Sequence, residues 1–213
     1  MPMDALAIDA EHLARRFGRR WALVDVSLQL RRGEVMMVAG RNGSGKTTLL
    51  RVLATAIRAD GGRAVVGGFE LTRREEIRRI SALLSHQSYL YESFTARENL
   101  EVVARMRRQD CLRHTEPVLE RVGLSARADD PVSTFSAGMR KRLSFARVLL
   151  QQPSIAFLDE PYGQLDPEGF GLVDEVVAEL RSRDASVLIA THQVERVGRL
   201  ANRTITLEAG RVR

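Results

Sequence analysis

The chain has 213 residues, 44% of them hydrophobic, with 33 Lys and Arg against 27 Asp and Glu for a net charge of +6, enough to bury a core as one domain or as a domain with an inserted subdomain. No apolar run approaches the ~18 to 20 residues that span a bilayer, and acidic Asp4 and Asp9 stand where a signal peptide would need a basic and then an apolar stretch, so the chain is expected on the cytoplasmic side. The single cysteine, Cys111, reads as a small apolar filler on a helix and excludes an internal disulfide or a Cys-based metal cluster.

Residues 4 to 10 and 21 to 30 read as strands, the second alternating Val24, Val26, Leu28 and Leu30 against Asp25, Ser27 and Gln29. Arg31-Arg32-Gly33-Glu34 turns into the apolar run Glu34 to Ala39, and a helical run Thr48 to Ala56 follows the glycine-rich segment between them. Asp60-Gly61-Gly62 begins a short β segment through Val66 and Phe69, Arg73 to Arg79 is helical, and Ile80 to Ser85 is again a strand. From Tyr89 to about Gln151 only helical periodicity is found, at Ala96 to Arg108, at Arg113 to Val122 closed by Gly123, and at Ala137 to Leu150. This stretch reads as an inserted helical subdomain. Strands resume at Ile155 to Leu158 and Ser186 to Ala190, joined by the helical run Pro167 to Arg183, a βαβ pattern that implies parallel pairing. A last strand, Thr204 to Glu208, turns at Ala209-Gly210, and no linker, repeat or appended domain is expected.

Gly40-Arg41-Asn42-Gly43-Ser44-Gly45-Lys46-Thr47 fits the phosphate-binding pattern G-x-x-x-x-G-K-[ST] between a strand and a helix. The glycines free successive backbone N–H groups to point into one concavity, Lys46 reaches the β- and γ-phosphates, Thr47 is placed to ligate Mg²⁺, and the helix opening at Thr48 adds its positive end. Gly40, Asn42, Gly43, Ser44, Gly45, Lys46, Thr47 and Thr48 are therefore the candidate triphosphate-binding residues. Lys46 and Lys141 are the only lysines in an arginine-rich chain, so a lysine persists where a flexible point charge suits triphosphate chemistry. The Arg clusters at 73, 74, 78 and 79 and at 105, 107 and 108 admit two readings, an anionic partner surface or a solvated helix face, and the interleaved Glu75, Glu76, Glu98 and Glu101 favour the second.

The run Ser154 to Leu158 ends in Asp159-Glu160, which places two carboxylates at the carboxyl end of a core strand, where open α/β sheets bind ligands. Asp159 is read as holding Mg²⁺ through water and Glu160 as the base that polarises the attacking water, the pairing that in-line phosphoryl transfer requires.

With these residues in order, the chain resembles the nucleotide-binding subunits of ATP-binding cassette (ABC) transporters over essentially its whole length. The resemblance implies a P-loop NTPase core of α/β class, a mostly parallel sheet with flanking helices and an N-terminal antiparallel β subdomain. It implies one domain over 1–213, with 1–87 and 152–213 forming the RecA-like core and 88–151 the helical signature subdomain. Phe17, in Phe17-Gly18, looks like the aromatic residue that stacks on adenine, with Trp21 as the rival and core packing as a third possibility. Gln87 resembles the glutamine that touches Mg²⁺ and hands the nucleotide state to the helical subdomain. Phe135-Ser136-Ala137-Gly138-Met139 resembles the signature motif, Leu165-Asp166 the D-loop, and Thr191-His192 the switch histidine that contacts the γ-phosphate. Ser136 and Gly138 lie on the helical subdomain, so the resemblance implies that they cap the ATP of a second copy in a head-to-tail homodimer. It further implies integral membrane permease subunits as partners, no direct nucleic-acid contact, and a peripheral position on the cytoplasmic face of the cell membrane, touched only through the permease.

Ala137 and Met139 depart from the usual Gly and Gln of the signature, while Ser136 and Gly138 are retained. The short chain, Ser-Ala-Gly, His86-Gln87 and His192-Gln193 look like the ATP-binding subunit of the cytochrome c maturation, or heme exporter, complex. The alternative is the ATPase of a drug, antibiotic or polysaccharide exporter, in which Met also follows Ser-x-Gly. A soluble cassette ATPase acting on nucleic acid or ribosomes is an alternative from another class, suggested by the pI near 10.3, and an isolated metabolic kinase fits less well because it leaves the signature helix and His192 unexplained.

Overall fold

The computed structural model describes residues 5–85, 87–106 and 114–213. Asp4, His86, Arg107, Arg108, Cys111 and Arg113, which entered the sequence reading, lie outside the described residues. By compactness the chain divides into two units, the first Met1–Ser85, Pro153–Pro161 and Val177–Arg213, the second His86–Gln152 and Tyr162–Val176.

In the first unit, β1 (Leu6–Phe17) and β2 (Arg20–Arg31) form a long antiparallel hairpin whose tip is the two-residue turn Gly18-Arg19. β3 (Val35–Ala39) leads to α1 (Lys46–Leu53), then come β4 (Gly61–Val66), β5 (Phe69–Glu70), α2 (Arg74–Ile80) and β6 (Ser81–Leu84). β1 pairs with β4 as well as β2, giving a four-stranded antiparallel sheet in the order β2-β1-β4-β5. After the second unit's helices, the chain returns as β7 (Ile155–Asp159), β8 (Ser186–Ala190), the short helix α7 (Val194–Val197), β9 (Arg203–Glu208) and β10 (Arg211–Val212). The second sheet runs β10-β9-β3-β8-β7-β6, with every pair parallel except the edge pair β10 and β9.

Every residue of β3, β7 and β8 is buried. That explains their uninterrupted apolar runs, since a central parallel strand has no face left for water. Leu49, Leu50, Val52 and Leu53 of α1 join Met36, Val38, Phe157 and Leu188 of this sheet and Ile8, Leu13, Leu23 and Leu30 of the antiparallel sheet in one cluster. Truncating one such leucine to alanine costs about 2–5 kcal/mol, so this core fixes where the strand ends lie.

Two differences from the sequence reading have local causes. β1 runs on to Phe17 because a bulge at His12, left-handed at φ 53, faces Asp25 at φ 56 on β2 and breaks the two-residue alternation that the reading needed. The helix after the glycine-rich loop ends at Leu53 because Thr55 adopts φ 57. Thr55 explains part of the Arg cluster as well. Arg74 Nη2 and Arg78 Nη2 donate to its carbonyl at 2.7 and 2.8 Å, and Arg78 Nε to its hydroxyl at 3.2 Å, placing two cations at the negative end of α1. Arg73 pairs with Glu76, and Arg79 with Glu75.

The second unit holds α3 (Ala96–Met106), α4 (Thr115–Arg121), α5 (Ala137–Gln151) and the start of α6 (Phe170–Ser182). Leu100, Val103, Leu119, Val132, Leu143 and Phe145 are buried there. Arg97 on α3 bridges Glu116 on α4 at 2.5 Å and Asp129 at 2.8 Å, which raises its own pKa and holds the Asp129 carboxyl below its usual range. Buried Asn99 accepts from Tyr91 N at 2.8 Å and donates to the carbonyls of Tyr91 and Thr95, fixing the loop that precedes α3.

Candidate nucleotide-binding site

The loop between β3 and α1 is shaped by its glycines. Gly45, the residue before α1, has φ 109, and a Cβ there would stand 2.4 Å from the carbonyl oxygen of Ala22. Gly40 has φ 147, and its Cβ would meet Leu207 O at 2.3 Å. Only glycine permits both the backbone conformation and this close approach to β2 and β9. Gly210 N donates to Ser44 O at 3.0 Å and closes the loop from the β9-β10 turn.

Lys46 is buried, and its ammonium donates to the carbonyls of Gly40 at 2.7 Å and Arg41 at 3.3 Å. A cation so deep in the loop satisfies itself on backbone oxygens and is poised to exchange them for phosphate oxygens. Ser44 Oγ is buried with no hydrogen-bond partner, an orphaned hydroxyl inside a loop of the shape that receives phosphate. The Thr47 hydroxyl donates to buried Asp159 Oδ1 at 2.9 Å.

A cleft of about 390 Å³ opens over the loop, lined by Phe17, Arg20, Ala22, residues 42–48 and Glu160. The tip of the β1-β2 hairpin thus supplies one wall. Phe17 is half exposed, with the Arg15 guanidinium 4.8 Å from its ring centroid. Trp21, equally exposed and stacked on Arg16, is not among the lining residues, so the geometry favours Phe17 as the aromatic platform. Arg20 was not singled out from the sequence. It is one of four arginines between positions 15 and 20, and only the hairpin turn aims it at Gly43.

Glu160 follows β7 with φ 44, a left-handed conformation rare for a non-glycine residue and held by its N–H donating to Ala190 O at 2.8 Å. Its Oε2 accepts from the Thr191 hydroxyl at 3.1 Å and lies 3.0 Å from His192 Nδ1. Adjacent parallel strands with Asp159 opposite Ala190 bring these groups to one sheet end.

The first unit therefore gathers Phe17, Asn42 to Thr48, Asp159, Glu160 and His192. Gln87, Ser136, Gly138 and Asp166 belong to the second unit. There Ser136 caps α5, its hydroxyl accepting from Met139 N at 3.2 Å, and Asp166 caps the following 3₁₀ turn by accepting from Gly169 N at 2.7 Å.

The profile of a family described as ABC transporter matches residues 23–163, from β2 past Glu160. The chain belongs to the ABC transporter family. ABC cassettes hydrolyse ATP, and this chain carries that ATPase domain. It is 38% identical over 214 residues to a daunorubicin resistance ATP-binding protein of Streptomyces coeruleorubidus, with 98% of this chain and 66% of that protein covered, so the chain spans about two thirds of that relative's length. A phosphonates import ATP-binding protein of Frankia casuarinae is 34% identical over 97% of this chain and 88% of its own length. A solved structure of the ATP binding subunit of an ABC transporter superposes with a TM-score of 0.90 at 26% identity, covering 97% of this chain and 88% of that one.

Proposed function

We propose that this ABC cassette hydrolyses Mg·ATP in a sandwich dimer of two copies and energises a separate membrane permease that exports a drug or antibiotic. The observation that carries the nucleotide chemistry is the cleft in which Phe17, the glycine-rich loop and Glu160 meet. Adenine stacks on Phe17, the loop N–H groups and Lys46 hold the phosphates, and Glu160 takes the proton of the attacking water while Thr191 and His192 hold its carboxylate in place. Thr47 and Asp159, already in contact, would hold Mg²⁺ directly and through water, with Gln87 added by the family pattern. Among the described residues no cluster of three acids or histidines forms a metal cage. Mg²⁺ takes few protein ligands and completes its shell with water and phosphate. When bound, Mg²⁺ neutralises charge on the β- and γ-phosphate oxygens.

Ser136, Gly138 and Asp166 are assigned to the nucleotide of the second copy. A permease as partner is supported by Tyr89, Tyr91 and Phe94, exposed aromatics in the segment after Gln87. Among the described residues no helix is long and apolar enough to cross a membrane. Arg73, Arg74, Arg78 and Arg79 are engaged within the fold, which weakens the nucleic-acid alternative.

The drug-exporter reading rests on the daunorubicin-resistance relative. The heme-exporter reading rests on the short chain, Ser-Ala-Gly and the two His-Gln pairs, and neither relative named above carries heme in its description. Purification of the chain from native membranes tests both. Recovery with a polytopic membrane protein is expected, with ATPase activity stimulated by daunorubicin in reconstituted vesicles. Stimulation by hemin instead would restore the heme reading, and recovery only with ribosomes or DNA would refute the transporter reading.

A further inference from the structure

Within the second unit, the start of α5 and the segment after Tyr162 are joined by a set of close contacts. A Cβ on Gly138 would lie 3.2 Å from Gln164 O, so a glycine lets the helix start rest against that carbonyl. One helical turn on, Arg142 Nη2 lies 3.7 Å from Asp166 Oδ1, and its other nitrogen, Nη1, is within 3.5 Å of the Val122 carbonyl at the end of α4. Gly169 is packed into the same corner, where a Cβ would stand 2.9 Å from Asp166 Oδ1 and 3.2 Å from Arg142 Nη2. Gln164 is held at φ 70, a left-handed state that a non-glycine residue keeps only where its surroundings impose it. Tyr162, fully buried, donates its hydroxyl to Asp174 and meets the Phe170 ring edge-on at 5.5 Å, anchoring the segment's other end.

We propose that Arg142 is a positioning residue that ties Asp166 to the signature helix, so that Ser136 and Asp166 meet the nucleotide site of a second copy as one preset surface. The proposal rests on the ATP-sandwich dimer. Two separately mobile segments would each lose freedom on closing over a nucleotide, whereas a surface ordered beforehand does not. The clamp acts on dimer closure and turnover. Neither Arg142 nor Asp166 lines the cleft of its own chain, so ATP affinity of the separate chain is outside its reach.

A double-mutant cycle in the Glu160→Gln background tests the clamp, using Arg142→Met, Asp166→Asn and both together, with the ATP concentration for half-maximal dimer read by sedimentation. Asn at 166 keeps an oxygen for Gly169 N and loses only the charge. Each single variant should raise that concentration about fivefold, and the double no further than the worse single, as coupled neighbours behave. Arg142→Lys should recover part of the loss, and in the Glu160 parent the single variants should raise the KM for ATP in step with the dimer midpoint. Shifts that multiply in the double variant, or no shift in either single, overturn the clamp alone. Failure of Glu160→Gln itself to dimerise with ATP overturns the dimer, and the clamp with it.

Discussion

Glu160 and His192 meet across two neighbouring parallel strands, Oε2 to Nδ1 at 3.0 Å, with the Thr191 hydroxyl donating to the same carboxylate oxygen at 3.1 Å. Two side chains orient this carboxylate beside the glycine-rich loop, and the proposed function assigns it the proton of the attacking water. Glu160→Gln should therefore keep ATP binding and lower steady-state turnover by about 10²–10⁴-fold, the usual share of a general base. His192→Ala should lower kcat more than it raises KM. Normal hydrolysis by Glu160→Gln would remove the base assignment.

Phe17 and Trp21 separate cleanly by experiment. Phe17→Ala should raise the ATP KM about two- to tenfold, matching the ~0.5–1.5 kcal/mol of an aromatic stacking contact. Trp21→Ala should leave KM unchanged, because Trp21 is not part of the cleft wall. The reverse ranking would move the adenine site.

Gly45 and Gly18 both have positive φ, yet they differ in surroundings. A Cβ on Gly18 meets nothing within 4 Å, while one on Gly45 runs into the Ala22 carbonyl. Gly18→Ala should cost only the left-handed penalty, about 1–2 kcal/mol. Gly45→Ala should cost more and abolish ATP binding, as nucleotide titration and thermal melts would show.

Acid should weaken the Arg97 network. Asp129 has its pKa lowered chiefly by the hydrogen bond from Arg97. A depressed carboxyl contributes stability above its unfolded pKa of about 3.9 and loses it as pH falls through the folded value. Melting temperature should then fall less steeply between about pH 4 and pH 2 in Asp129→Asn than in the parent. An identical slope in both would show that the pair is screened by solvent.

The elements legible in the sequence were those whose signal is local. β3, β7 and β8 are continuous apolar runs because both faces are buried, and the glycine-rich loop is a contiguous pattern that carries its own backbone geometry. β10 and α7, of two and four residues, are too short to show a period. The far half of β1 was hidden because the His12 bulge shifts which side chains face inward. The inward turn of Arg74 and Arg78 onto Thr55 left no mark either, since an arginine that caps a distant helix reads like one in solvent.

By itself, the sequence determined the chemistry: a loop for a triphosphate, a carboxylate pair after a core strand, and the order of motifs that places the chain among ABC cassettes. Spacing along the chain is enough there, because each motif needs only its own backbone and a neighbouring strand or helix. The tertiary structure decided which distant residues meet. It set Phe17 rather than Trp21 on the cleft wall, brought Arg20 and Glu160 to the same cleft, joined Thr191 and His192 to Glu160, and laid Arg142 against Asp166. Those pairings depend on strand order and hairpin register, which core packing selects.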